Sequence, residues 1–203
     1  MRFPDFFRDV PRLTVCDPLA RFLGAADDGV LEYGYEDAVK LAGHSCPTVA
    51  SAYRLTALAL AALYPGDLPE RGGVRVAFRN GFEDGVTGVI ANVVTLLTGA
   101  AHEGGFKGIG GRHVRRGLQQ FTAELPLSLR FTRSDTGAAV DAEADLSRVP
   151  ADPEMSGLMA RCVAGAADAD EQRRFTDLWQ DRVRRILIGH GDDPEVFRIV
   201  PAT

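Results

Sequence analysis

Apolar positions along the chain gather into a few dense blocks, and the spacing within each block predicts its element. Thr48 to Leu63 is rich in Ala and Leu with few polar positions, the signature of a helix buried on most sides, and Tyr64-Pro65-Gly66 stops it. Gly73 to Phe78 alternates apolar with polar or small residues and predicts a strand. After the turn Asn80 to Gly85, Val86 to Leu97 predicts a second buried helix with Asp84 as its cap. Leu118 to Leu125, Leu127 to Arg133 and Ala138 to Ala144 predict strands, the last two joined by Asp135-Thr136-Gly137 as a hairpin turn. Upstream, Leu19 to Leu23 predicts a short helix followed by a turn through Gly24 to Gly29, and Tyr35 to Leu41 a second short helix.

Beyond Pro150 the texture changes. Glu154 to Val163 and Asp170 to Ile188 predict helices, the second carrying Phe175, Leu178, Trp179, Val183, Ile186 and Leu187 on one face. Gly189-His190-Gly191 ends it, and Val196 to Val200 predicts a closing strand. This order of elements predicts the α+β class, a mixed sheet with packed helices, rather than a doubly wound sheet. The expected organisation is a core domain over residues 1–149. Residues 150–203 would form C-terminal helices and a closing strand, packed on that domain or on a dimer partner.

Composition narrows the function classes. A chain of 203 residues is long enough for one sizeable core, and its 45% hydrophobic and 25% charged fractions are those of an ordinary globular protein. A net charge of −5 gives no reason to expect nucleic acid or an anionic membrane as partner. No uninterrupted apolar run reaches about 18 residues, the length that would suggest a membrane span. The opening residues lack the apolar segment of a signal peptide, so a cytoplasmic location is expected. Cys16, Cys46 and Cys162 are odd in number and far apart, which argues against a disulfide framework and leaves Cys46 free to bind metal or react.

The sharpest candidate chemistry is Gly43-His44-Ser45-Cys46-Pro47. An imidazole and a thiol two positions apart are ligand types suited to zinc and similar metals. Pro47 fits the first position of a helix, which places Cys46 where the helix dipole favours a thiolate. A structural Cys beside a loop His is the alternative. The segment Thr98 to His113 is glycine-rich and unpatterned. Gly104, Gly105 and Gly108 with Lys107 suggest a phosphate or carboxylate cradle, although neither a P-loop nor a dinucleotide fingerprint is present. The alternative is a mobile surface connection. His102 in this loop is a third candidate ligand or a solvated side chain, His113 sits among arginines, and His190 suits a helix C-terminus. Glu83 and Asp84 read either as helix-capping residues or as carboxylates near a metal, acting as ligand, supporting group or general base. Tyr33, Tyr35, Glu36, Asp37 and Lys40 approach the His-Ser-Cys turn at near-helical spacing, so some of them are expected to face the same cleft. Tyr53 and Arg54 are candidates for that pocket, the core or a contact with a second copy. Ser45 lacks the Gly-x-Ser-x-Gly setting of a serine hydrolase.

A Gly-His-x-Cys-Pro turn opening an Ala/Leu-rich helix, then a strand, then Asp84 before a second helix, then Thr98-Gly99 and Phe106-Lys107-Gly108, resembles the FmdE family of formylmethanofuran dehydrogenase over roughly residues 33–135. The resemblance implies an α+β fold also seen in the catalytic domain of glyceraldehyde-3-phosphate dehydrogenase, a homodimer, and a bound divalent metal, often zinc, with His44 and Cys46 as leading ligands. The chain departs from the family pattern in two places. Gly99-Ala100-Ala101 stands where a Cys commonly follows the second helix, and Asn80, Gly81 and Phe82 stand where another commonly precedes the Asp. Either His102 replaces the missing thiol, or the site is more open, or the metal differs. The C-terminal zinc ribbon of some members is also absent. Three readings follow. One is a metal-binding protein with a small-molecule pocket, its metal polarising a carbonyl or activating water, Glu83 or Asp84 acting as base and Lys107 holding an anionic group. Another is a non-catalytic metal or cofactor carrier for a redox enzyme. The third is a metal-free thiol enzyme using Cys46 with His44 as base.

Overall fold

The computed structural model describes residues 2–202. Its centre is helix α3 (Pro47–Leu63), preceded by β1 (Leu13–Cys16), the short α1 (Pro18–Phe22), β2 (Val30–Tyr33) and α2 (Tyr35–Ala42). After it come β3 (Val74–Phe78), α4 (Thr87–Thr98), β4 (Gln119–Gln120), β5 (Leu129–Arg133), β6 (Ala139–Ala144), α5 (Met155–Val163), α6 (Ala169–Arg184) and β7 (Phe197–Pro201). The architecture is α+β, with a mixed five-stranded sheet ordered β4-β3-β5-β6-β7. β4 runs parallel to β3, and the remaining pairs are antiparallel.

α3 is buried at successive positions from Val49 to Thr56 and again at Ala59, Leu60 and Leu63. A helix apolar around most of its circumference must be covered on several sides, and α3 touches α2, α4, β5, β6, β7 and the end of α6. β3 turns Val74, Val76 and Phe78 inward and Arg75 outward. Each large apolar side chain so buried contributes roughly 1.5–3 kcal/mol against remaining exposed. Residues beyond 150 complete the same core: Val183, Ile186, Leu187, Val196 and Phe197 are buried with the side chains of α3. Arg54 fastens this end of the chain to α3, its Nε donating to the Gly191 carbonyl at 2.7 Å and its guanidinium pairing with Asp192.

Several local expectations need correction. The strand expected over Leu118 to Leu125 is reduced to Gln119 and Gln120. Thr122 adopts φ +59°, which breaks the extended backbone, and the Gln119 amide turns to α4, donating to the Ala91 carbonyl and the Thr95 hydroxyl. The antiparallel β1–β2 pair, from Leu13↔Tyr33 to Cys16↔Val30, has no counterpart in the expected elements. Asp84 does not cap α4. Its Oδ2 accepts the Gly81 N–H at 2.7 Å, while Gly85 and Val86 intervene before the helix begins, and Val86 is the N-cap with no side-chain bond. The last helix is α-helical only to Arg184; Arg185–Gly189 widen into a π turn. Among the described residues no helix is long and apolar enough to cross a membrane.

Candidate functional site

The His-Ser-Cys turn is fixed from both ends. Gly43 ends α2 at φ +75°, a left-handed conformation that glycine adopts without penalty. Pro47 opens α3 and Cys46 is its N-cap, the sulfur accepting the Val49 N–H at 3.4 Å and remaining 8% exposed. Between them, the Ser45 hydroxyl donates to Gln180 Oε1 at 3.0 Å. Its single proton is thereby committed, so the 3.0 Å contact with the Tyr35 hydroxyl has Tyr35 as donor. Burial pushes the Tyr35 phenol up, against the opposing pull of the Ser45 bond, and keeps that donor protonated. The Ser45 carbonyl accepts Trp179 Nε1 at 2.8 Å. Helix α6, 134 residues downstream, therefore lies over the turn.

His44 points outward. Its Nδ1 lies 2.9 Å from the Ala42 carbonyl; a carbonyl only accepts, so Nδ1 is the protonated nitrogen, which leaves Nε2 as the ligating atom of this tautomer. This arrangement, one ring nitrogen tied to a backbone carbonyl, is the usual support of a metal-ligating histidine. The ring lines a cavity of about 150 Å3 between the end of α2 and α4, with Leu41, Val89, Asn92 and Val93.

The other sequence-selected residues are spread around α4. The His102 ring packs edge-on to Phe121 at 5.1 Å and stacks with Phe82 at 6.2 Å. Phe82 lies against α4 at Gly88, a face that also carries Ala91 and Thr95, which Gln119 contacts. His44 meets Val89, Asn92 and Val93 instead, about 100° around the helix at 100° per residue. Asp84 lines a third space of about 290 Å3 with Asn80, Thr87, Ile90 and Ser128, and Glu83 is exposed. Among the described residues no three His, Cys, Asp or Glu side chains form a group that could hold a metal ion.

The glycine-rich loop folds against itself. The Phe106 carbonyl accepts N–H groups from Arg115 and Arg116, and that of His102 accepts those of Gly105 and Gly117. A Cβ on Gly105 would lie 2.6 Å from the Arg116 backbone, and one on Gly108, at φ +87°, 2.4 Å from the Arg112 carbonyl. Close packing of the loop on its own backbone thus explains these two glycines. Gly104 has open space at its Cβ position, and Lys107 is exposed. Of the residues leading into the turn, Tyr35 reaches it, whereas Asp37 pairs with Lys40 and Glu36 with Arg12. Tyr53 is a core residue whose hydroxyl donates to the Pro11 and Tyr33 carbonyls. His190 is held by Asp193 at 2.9 Å.

The sequence reading missed a buried charge cluster. Asp17, 3% exposed, caps α1 through Oδ1, which accepts Leu19 and Ala20 N–H groups and also Arg115 Nη2 at 2.7 Å. Its Oδ2 accepts Arg71 Nη1 at 2.8 Å. Arg71 also donates to the Leu96 carbonyl near the end of α4, and Arg115 passes between Gly72 and Gly99. Burial pushes the Asp17 carboxyl up, but the Arg71 bond, the Ala20 amide and the Arg115 charge together bring it below the usual aspartate range. Burial lowers the Arg115 guanidinium. Asp17-Pro18 is legible as a helix start; nothing local to Arg71 or Arg115 signals their convergence. Comparison of the sequence with protein-family models and with curated proteins returned no match.

Proposed function

We propose that the chain is a metal-binding protein with a small-molecule pocket, similar to the FmdE family of formylmethanofuran dehydrogenase, and that His44 and Cys46 hold a divalent metal, zinc being the best fit to an imidazole–thiolate pair. The observation that carries this reading is the His44 ring tied through Nδ1 to the Ala42 carbonyl, on a residue that lines a cavity two positions from a cysteine at a helix N-terminus. No third His, Cys, Asp or Glu groups with them among the described residues, so a metal held by this pair would keep open coordination positions for water or a bound carbonyl. Such a metal supplies polarisation of a carbonyl or activation of water. The chain's own contribution is orientation: Tyr35, Trp179 and Gln180 immobilise Ser45 between the two ligands. Glu83 and Asp84 gain no support as the base from their position, since Asp84 faces a separate cavity.

A homodimer belongs to the same proposal, with Leu41 exposed beside His44 at the surface a second copy would cover. The thiol-enzyme reading is the alternative; with the Cys46 sulfur accepting the Val49 N–H and His44 Nδ1 at the Ala42 carbonyl, either role requires the sulfur and the imidazole to turn toward one another. Metal analysis of protein purified without added metal is the test. Near-stoichiometric zinc lost in the His44→Ala and Cys46→Ser variants is expected; less than about 0.2 equivalents in the wild type, failing to rise on zinc addition, would overturn the reading.

A further inference from the structure

Arg115 is 6% exposed, and its Nε and Nη1 have no hydrogen-bond partner among the described residues. Only Nη2 is engaged, with Asp17. A guanidinium carries five N–H donors, and buried donors on a charged group are costly to leave unpaired. Asp17 cannot neutralise the cluster by itself, because one carboxylate is shared by two guanidinium groups and two backbone amides. One buried carboxylate thus faces two guanidinium groups, Arg115 buried and Arg71 partly exposed, with the Glu70 carboxylate acting on Arg115 from the surface. Arg115 and Arg71 both line a cavity of about 220 Å3 together with His113, Val114, Gly72 and Pro18, with the exposed Glu70 at its edge. His113 holds a left-handed backbone, φ +58°, with its ring stacked on Phe22 at 5.6 Å.

We propose that this cavity is a binding site for a small oxyanion, phosphate or carboxylate in chemistry, with Arg115 as its principal cation and Arg71 and His113 flanking it. The planar guanidinium fork matches both groups in a two-bond geometry. Nη1 and Nε lie against Gly72, and Nη1 also against Gly99, so the guanidinium must turn toward the cavity to present them to an oxyanion, which would bring negative charge to the cluster. The site is distinct from the His44 turn and does not depend on a metal there.

The test is calorimetric titration of the full chain with inorganic phosphate and, separately, acetate, in chelator-containing buffer with sodium chloride at matched ionic strength as control. Amide NMR shifts locate the binding. Saturable binding of at least one oxyanion is expected, with shifts centred on residues 70–72 and 113–115 and a rise in Tm of about 5 °C at a hundredfold excess over Kd. Arg115→Lys, which keeps the charge but loses the fork, is expected to weaken binding at least about tenfold, the scale of one charge-assisted hydrogen bond. Should that variant fail to fold, His113→Asn serves instead, since Asn tolerates the left-handed backbone, with a smaller loss expected. No saturable binding beyond chloride in the wild type, shifts centred elsewhere, or undiminished affinity in a folded Arg115→Lys would overturn the proposal.

Discussion

Replacing Gly72 with alanine probes the Asp17–Arg71–Arg115 cluster without altering any of its charged groups. Gly72 has φ +88°, and a Cβ there would lie 1.4 Å from Arg115 Nη1 and 2.2 Å from Cζ. The guanidinium is the far end of a long side chain, so the overlap is relieved when Arg115 swings away, and the cost is the contact it gives up. That contact is the 2.7 Å bond to Asp17 Oδ1, between side chains 7% and 4% exposed. Removing one partner of a buried ion pair costs about 3–5 kcal/mol when the other charge is stranded. Asp17 is not stranded, because Arg71 and two amides still hold it, so the lower range for a charged hydrogen bond, about 1.5–3 kcal/mol, applies. A left-handed alanine adds about 1–2 kcal/mol, for a total of about 2.5–5 kcal/mol. Gly66→Ala is the matched control: its φ is +83° and a Cβ there meets nothing within 4 Å, so it carries the backbone cost alone. Urea unfolding followed by circular dichroism, extrapolated linearly to water, measures both. Destabilisations within about 0.5 kcal/mol of each other, inside the usual error of additivity, would refute the placement of Arg115 against Gly72.

Three further outcomes are expected. Asp17 has a folded pKa below its unfolded value, so its stabilisation is complete above the ordinary aspartate range and is lost as pH falls through the folded value; Asp17→Asn should be less stable at neutral pH and show a flatter acid limb in urea midpoint against pH, and a limb parallel to the wild type would contradict this. Tyr53→Phe leaves the Pro11 and Tyr33 carbonyls, at 2.9 and 3.0 Å from the lost hydroxyl, without their donor, a loss of about 1–2 kcal/mol readable in the same assay. Trp179 is the only tryptophan and donates to Ser45 between the two proposed ligands, so zinc titration should change its emission with the stoichiometry found by metal analysis; binding without any change in emission would place the metal elsewhere.

The elements legible in the sequence are those whose own residues settle their environment. α3 announces itself by apolar side chains on nearly every face and by Cys46-Pro47 at its start, and both features hold in the fold. The β5–β6 hairpin is legible for a similar reason: Asp135-Thr136-Gly137 closes it locally, with Asp135 accepting the Thr136 N–H and Gly137 at φ +76°. β1 and β2 are not legible because each has four residues and β2 buries none of them fully. Besides their own ladder, they are held by contacts from outside the pair, the Tyr53 hydroxyl on the Tyr33 carbonyl and the Pro69 carbonyl that accepts the Cys16 N–H. β4 fails in the opposite direction. Leu118 to Leu125 has strand composition, but the buried Gln119 satisfies its amide on α4, and tertiary bonding outweighs the local preference.

The site divides along the same line. That His44 and Cys46 share a turn follows from their spacing, and the helix start at Pro47 follows from chemistry intrinsic to proline. Whether His102 would meet them depends on tertiary packing, and its ring instead packs with Phe82 and Phe121. α6 advertises an apolar face, yet its target, the Ser45 carbonyl, lies 134 residues away. The charge cluster is the extreme case. Asp17 meets Arg71 across 54 residues and Arg115 across 98, and either arginine by itself resembles any of the chain's other surface cations. What distinguishes Arg115 is the space that admits it, and that space is written in Gly72 and Gly99. Gly99 reads locally as a helix C-cap and Gly72 as part of a turn, roles they do fill at φ +71° and +88°. A Cβ at either position would come within 3 Å of the same guanidinium nitrogen. Two glycines explained by local backbone geometry thus have a second, shared reason to be glycine, and that shared reason marks the path by which a buried arginine reaches Asp17.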